Sequence, residues 1–146
     1  MKLVSACLLG INCKYNGKNN RNKKVLELAK REILIPICPE QMGGLPTPRK
    51  ASNLTADGRK IIEGRGKVLN KEGKDVTKNF LKGAKETLKI AKIFKIKEAI
   101  LKEGSPSCGT KYTYFVDGKK KGMGVTAALL KKNGIKLISE EELERF

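Results

Sequence analysis

The chain contains no histidine and no tryptophan among its 146 residues. Without imidazole there is no Ser-His-Asp or Cys-His catalysis, no HExxH zinc site and no other His-ligated metal. Proton transfer falls to Glu, Asp, Lys, Tyr, Ser or Cys, and a metal would need thiolate or oxygen ligands. Aromatic residues are only 5%, and no aromatic-rich strand of the kind that stacks RNA bases is present. There is no Cys-x-x-Cys pair, which argues against a zinc ribbon, a thioredoxin-like site or a ferredoxin run. No apolar stretch approaches the roughly 18 residues of a membrane span, so no membrane partner is expected. Val4-Ser5-Ala6-Cys7 has the look of a lipoprotein cleavage box, but only six residues, Lys2 among them, precede Cys7. That is too short for a signal peptide, and the segment reads as a buried first strand of a cytoplasmic protein.

What is present points to an ordinary folded domain. The length suits one core, so a single domain over residues 1–146 is expected. Hydrophobic residues are 39% and charged residues 32%, with 32 Lys and Arg against 15 Asp and Glu, a net charge of +17. Such a field attracts anionic partners, nucleotides or nucleic acid among them. Only six of the basic residues are arginine and the lysines are scattered, so solvated lysine faces account for the charge equally well.

Along the chain, Lys2–Ala6 reads as a short strand and Asn22–Arg31 as a helix. Ile33–Ile37 is a continuous apolar run of buried-strand type. A hairpin is expected over Lys60–Asn70. A long helix follows from Asp75 or Thr77 to about Lys95, with Phe80, Leu81, Ala84, Leu88, Ala91 and Ile93 on its apolar side. Glu98–Lys102 is the next strand, and a second hairpin turns at Asp117-Gly118. A helix over Val125–Lys132 stops at Asn133-Gly134. Ile135–Ile138 is the last strand, and Ser139-x-x-Glu142 is a capping box for a short final helix. The alternation predicts an α/β fold: a single-domain, Rossmann-like parallel sheet with helices on both faces and small hairpin insertions.

The four cysteines, Cys7, Cys13, Cys38 and Cys108, lie 6, 25 and 70 positions apart. Cys7, Cys38 and Cys108 each fall just beyond a predicted strand, and the carboxyl ends of parallel strands form the ligand crevice of such a sheet. Free cysteine commonly packs as a small hydrophobe. Three of them in Gly-, Pro- and Ser-bearing loops favour a shared site instead. Three thiolates with an open position suit a [4Fe-4S] cluster having one iron without a protein ligand, a Lewis acid for a soft atom such as sulfur; they also suit zinc. Glu40, two residues from Cys38, is the best-placed general acid/base, although a loop carboxylate paired with a lysine would look the same. Ser105 and Ser107 bring hydroxyls beside Cys108, or satisfy loop amides. Gly122-Met-Gly-Val-Thr-Ala127 looks like a helix start able to hold a phosphate on its amides.

Four stretches carry a resemblance. Val4-Ser-Ala-Cys-Leu-Leu-Gly10 with Lys14-Tyr-Asn-Gly17 is the first, and Pro36-Ile-Cys-Pro-Glu40 with Gly43-Gly-Leu-Pro-Thr-Pro-Arg49 the second. Leu101-Lys-Glu-Gly-Ser-Pro-Ser-Cys-Gly109 and Gly124-Val-Thr-Ala-Ala-Leu-Leu130 complete it. Together they resemble the thiouracil desulfurase (desulfidase) family over nearly the whole chain. The resemblance implies a [4Fe-4S] cluster held by Cys7, Cys38 and Cys108 with one iron not bound by protein. It implies Glu40 and Ser105 as catalytic residues, with Tyr15, Gly43, Gly44 and Ser107 binding substrate. Cys13 stands outside the ligand trio. The implied reaction replaces C=S by C=O in a thiolated pyrimidine, thiouracil or 4-thiouridine monophosphate, with release of hydrogen sulfide. Two alternatives stand beside it: an iron–sulfur enzyme acting on thiouridine within tRNA, and a non-enzymatic RNA-binding domain with structural zinc.

Overall fold

The computed structural model describes residues 1–143. Four strands, β1 (Lys2–Ser5), β2 (Leu34–Ile37), β5 (Glu98–Leu101) and β8 (Lys136–Ser139), form a parallel sheet in the order β2-β1-β5-β8. The expected parallel sheet is therefore present. Side chains alternate across it as the pleat requires. Leu3, Ala99 and Leu101 face one cluster with Ala91, Ala127 and Leu130 of two helices, α4 (Thr77–Ile93) and α5 (Val125–Lys132). Val4 and Ile100 face the other way, toward Val25 and Leu28 of α1 (Lys23–Ala29) and Leu143 of α6 (Glu140–Leu143). Helices thus cover both faces, as expected. Asn22 caps α1 by accepting the Val25 amide at 3.1 Å, a short polar side chain doing what the helix start demands.

The chain runs from β1 outward to β2, then returns to place β5 on the other side of β1 and continues to β8. The strand order therefore reverses between β1 and β5, and a crevice opens beyond their carboxyl ends. β1 delivers Cys7 through a short 3-10 turn over Ala6–Leu9, β2 delivers Cys38, and β5 delivers the loop with Cys108.

A second four-stranded sheet closes one side of this crevice. It comprises β3 (Ser52–Leu54), β4 (Val68–Asn70), β6 (Tyr112–Phe115) and β7 (Gly118–Lys121) in the order β4-β3-β6-β7. The β6–β7 hairpin forms where the Asp117-Gly118 turn places it. The hairpin expected within Lys60–Asn70 does not form. Residues Gly58–Ile61 make a short helix, α3, and β4 pairs instead with β3 in antiparallel register. Gly58 explains the difference: its amide donates to the Met123 carbonyl at 2.8 Å, and a Cβ there would meet the carbonyls of Met123 and Gly124 at 2.5 Å. That docking commits the segment to helix before the chain reverses. β3 and β6 then pair in parallel through Leu54 and Phe115, fusing two hairpins into one sheet.

Within α4, Phe80, Ala84 and Ala91 are buried as their periodicity predicts, but Ile93, in the last turn, is 67% exposed. No helix among the described residues is long and apolar enough to cross a membrane.

Candidate active site

The crevice is a cavity of about 480 Å³ lined by residues from both sheets. All four cysteines and all three tyrosines of the chain lie on its wall, together with Glu40, Arg49, Ser105 and Ser107. Of the site residues read from the sequence, Cys7, Cys38, Cys108, Glu40, Ser105, Ser107 and Tyr15 are brought together. Gly43 and Gly44 are not on the wall. They follow α2 (Pro39–Met42), and Gly43 is pressed so closely on α4 that a Cβ would overlap the Asn79 carbonyl. Asn79 Nδ2 also donates to the Gly43 carbonyl at 2.9 Å.

Two loops carry most of the chemistry, and each is docked through a position without a Cβ. Pro39, at the first position of α2, lies against Gly83 of α4, where any Cβ would overlap the Pro39 carbonyl. A Cβ on Gly124 would fall 2.5 Å from the Ser107 carbonyl carbon and 2.8 Å from the Cys108 nitrogen. The start of α5 clasps the same loop. The Val125 amide donates to the Pro106 carbonyl at 2.9 Å, and the amides of Thr126 and Ala127 donate to the Ser107 carbonyl at 2.9 and 3.0 Å. These donors are therefore spent on the protein, and the phosphate site suggested for Gly122–Ala127 is not available.

Glu103, only 2% exposed, braces the far end of that loop. Its carboxylate accepts from the amides of Thr110 (2.7 Å), Lys111 (2.9 Å) and Tyr112 (3.3 Å) and from the Thr110 hydroxyl (2.7 Å). Burial works against its charge. The amides of Lys111, Tyr112 and Thr110, with the Thr110 hydroxyl, outweigh that and hold the carboxyl below its ordinary range.

The thiols are free and differ sharply. Burial raises Cys7, offset in part by a hydrogen bond from Asn20, and burial pushes Cys108 up to about 12 despite hydrogen bonds from Ser5 and Ser107. Cys38 is lowered to about 6 because Cys13 donates to it; the Gln41 amide and the Arg49 charge add to the effect against the cost of burial. Cys13 is correspondingly raised by the same bond and by its own burial. The charge of Cys38 raises Cys7, and the charges of Cys7 and Cys38 both raise Cys108. Three soft sulfur donors converging on one cavity are a set that suits iron–sulfur or zinc chemistry.

Glu40 stands at the centre of a short network. Arg49 Nε donates to Glu40 Oε1 at 3.0 Å, the two side chains being 6% and 13% exposed. Arg49 also donates to the carbonyls of Cys13 (2.8 Å) and Pro46 (3.2 Å) and to Thr47 Oγ1 (2.8 Å). The carboxylate thus has a cation partner, and it is this buried arginine, not a lysine.

The rim was largely invisible in the sequence. Tyr112 and Tyr114 reach it from β6, and Lys71 from the turn after β4. Lys102 also lines the cavity but pairs with Glu140 at 2.9 Å, whereas Lys14 and Lys71 make no ion pair among the described residues. No local motif marks Lys71; only the fold of the second sheet brings it there.

The 2-thiouracil desulfurase family model matches residues 3–142. An uncharacterized protein of Bacillus subtilis (strain 168), YbbK, is 42% identical over 147 residues, covering 98% of this chain and 97% of that protein. A solved structure, the [4Fe-4S]-dependent thiouracil desulfidase TudS, superimposes with a TM-score of 0.86 at 36% identity, covering 99% of this chain and 93% of its own.

Proposed function

The chain belongs to the 2-thiouracil desulfurase family, and from that premise we propose that it is a [4Fe-4S]-dependent desulfidase converting a thiolated pyrimidine to its oxo form. The observation that carries this reading is the convergence of Cys7, Cys38 and Cys108 on the cavity that also holds Glu40 and Ser105. The donor set fits the cluster by its chemistry: three thiols line one cavity, each delivered from the end of a different parallel strand. Cys7, Cys38 and Cys108 would hold it, and when bound it supplies a sulfur-seeking, Lewis-acidic iron without a protein ligand.

The remaining chemistry belongs to the chain. The reaction is a net hydrolysis, C=S and water giving C=O and hydrogen sulfide, so no electron donor is required. Glu40, paired with Arg49 at 3.0 Å, is the acid/base that takes up the proton of the attacking water. Ser105, half-buried at the cavity wall, polarises the pyrimidine. Tyr15 offers an exposed ring at the mouth. Lys14 and Lys71, free of ion pairs among the described residues, are placed to meet a phosphate, which favours 4-thiouridine monophosphate over free thiouracil.

The test is sulfide release by anaerobically purified protein with reconstituted iron and sulfide, beside a metal-free control. Thiouracil, 4-thiouridine monophosphate and thiolated tRNA are the three substrates. Cluster-dependent release, fastest on the monophosphate, is the expected result. A loaded protein silent on all three overturns the reading, and a preference for tRNA with steep salt dependence replaces the small substrate by RNA.

A further inference from the structure

The β6–β7 hairpin has two faces of opposite character. On β6, Thr113 is fully buried and Phe115 packs on the cluster around Leu54 and Val125. Tyr112 and Tyr114 alternate to the other side, as the pleat requires, and both line the cavity. The antiparallel register sets Lys121 opposite Tyr112 and Lys119 opposite Tyr114, so these two lysines share the tyrosine face. Lys119 Nζ accordingly lies over the Tyr112 ring, 4.2 Å from its centroid. Lys120 stands on the other face, opposite Thr113, and pairs with Asp117. Lys119 and Lys121 are exposed and make no ion pair among the described residues.

The inner end of this face is held still. Tyr112 donates its hydroxyl to Glu141 Oε2 at 2.5 Å. Both rings rest along Gly104, where a Cβ would lie 3.2 Å from Tyr112 Cε2 and 3.7 Å from Tyr114 Cε2. Gly104 begins the loop carrying Ser105, Ser107 and Cys108, so the tyrosines border the reacting end, whereas Lys119 and Lys121 stand outside the cavity wall. Two residues apart on one strand face, these cations are about 7 Å from each other and repel. A phosphate monoester, with a charge of about −2 near neutral pH, relieves that repulsion when it sits between them. We propose that this face is the lip that recognises the substrate beyond its pyrimidine ring, an inference that rests on the desulfidase reading. Tyr114, 47% exposed, is the surface on which the ribose packs, and Lys119 and Lys121 take the phosphate, extending outward the cationic wall that Lys14 and Lys71 begin. Lysine on an edge strand also deters pairing with another chain, but that role is indifferent to the face it occupies; here the two unpaired lysines share the face of the cavity.

The experiment measures kcat/KM of reconstituted protein for 4-thiouridine monophosphate, 4-thiouridine and thiolated tRNA. It compares wild type, the Lys119→Gln, Lys121→Gln double variant and, from the opposite face, Lys120→Gln. Uridine monophosphate and uridine are also titrated into each loaded protein by calorimetry. The lip predicts that the double variant loses about tenfold of its preference for the monophosphate over the nucleoside, that the loss lies in KM, and that Lys120→Gln keeps the preference. The KM of the double variant for the monophosphate also varies less with salt. An unchanged preference in the double variant, an equal loss in Lys120→Gln, or a greater loss on tRNA than on the monophosphate each overturns the lip and leaves the desulfidase reading intact. A loaded wild type that releases no sulfide overturns that reading instead. The calorimetry then decides the lip by itself, and equal affinities for uridine monophosphate in wild type and double variant overturn it.

Discussion

The two sheets divide the labour differently. The parallel sheet delivers Cys7, Cys38 and Cys108 from strand ends fixed by buried neighbours on both faces. The mixed sheet contributes a wall and a rim: Tyr114 is 47% exposed, and all four residues of β7, three of them lysines, face solvent. One sheet is built to hold a reacting centre still, the other to meet whatever enters. Substitutions at the strand ends of the first should therefore act on cofactor content and kcat, and substitutions on the second on KM.

The largest effect that would sharpen this contrast is loss of the cluster. Cys7→Ala, Cys38→Ala and Cys108→Ala should each purify without stable iron and without sulfide release, whereas Cys13→Ala should retain iron. Full iron in Cys38→Ala would break the ligand assignment. Glu40→Ala should keep the cluster's absorbance and lose at least about a hundredfold in kcat. Gly124→Ala forces a methyl onto the Ser107–Cys108 backbone. Overpacking of this kind costs about 1–3 kcal/mol, and lower iron loading should accompany a lower melting temperature.

Glu103→Ala strands the part-buried amides of Thr110 and Lys111 and should cost about 3 kcal/mol. Because the folded carboxyl is held below its ordinary value of about 4.3, its contribution is complete above that pH and is lost as the pH falls through the folded value. The stability gap between wild type and Glu103→Gln, followed by thermal unfolding, should therefore narrow toward acid. A constant gap would assign the effect to shape alone. The smallest change is expected at the rim: Tyr114→Ala should raise KM severalfold with kcat unchanged, and a kcat loss there would erase the distinction between the two sheets.

The parallel sheet was legible because its strands are apolar runs buried on both faces, and α5 because Val125 to Asn133-Gly134 carries both a period and a stop. The mixed sheet was not. β3 is three residues long with no alternation to read, and its pairing with β4 depends on where Gly58 docks, a contact with residues more than sixty positions away. The loop expected after Cys38 contains α2 instead, and Pro39 at its first turn is the local helix-start signal for it. At the site, the thiols, Glu40, Ser105 and Ser107 could be read from residue type and strand placement. Arg49 as the partner of Glu40, Asn20 and Ser5 as donors to Cys7 and Cys108, and Lys71 at the rim follow from tertiary placement that no local pattern encodes.

The position of β1 between β2 and β5 also sets the order in which the molecule can form. β1 pairs at Leu3 and Val4 with Ala99 and Ile100, so one edge of β1 waits for nearly a hundred further residues to be synthesised. Parallel pairing over such a separation is slow, since loop closure precedes any reward from contact. Until β5 arrives, an apolar strand stands with an open edge, the kind of template on which chains aggregate. Yield in a fast-translating host should therefore fall with nascent-chain crowding and recover when synthesis is slowed, independently of iron supply.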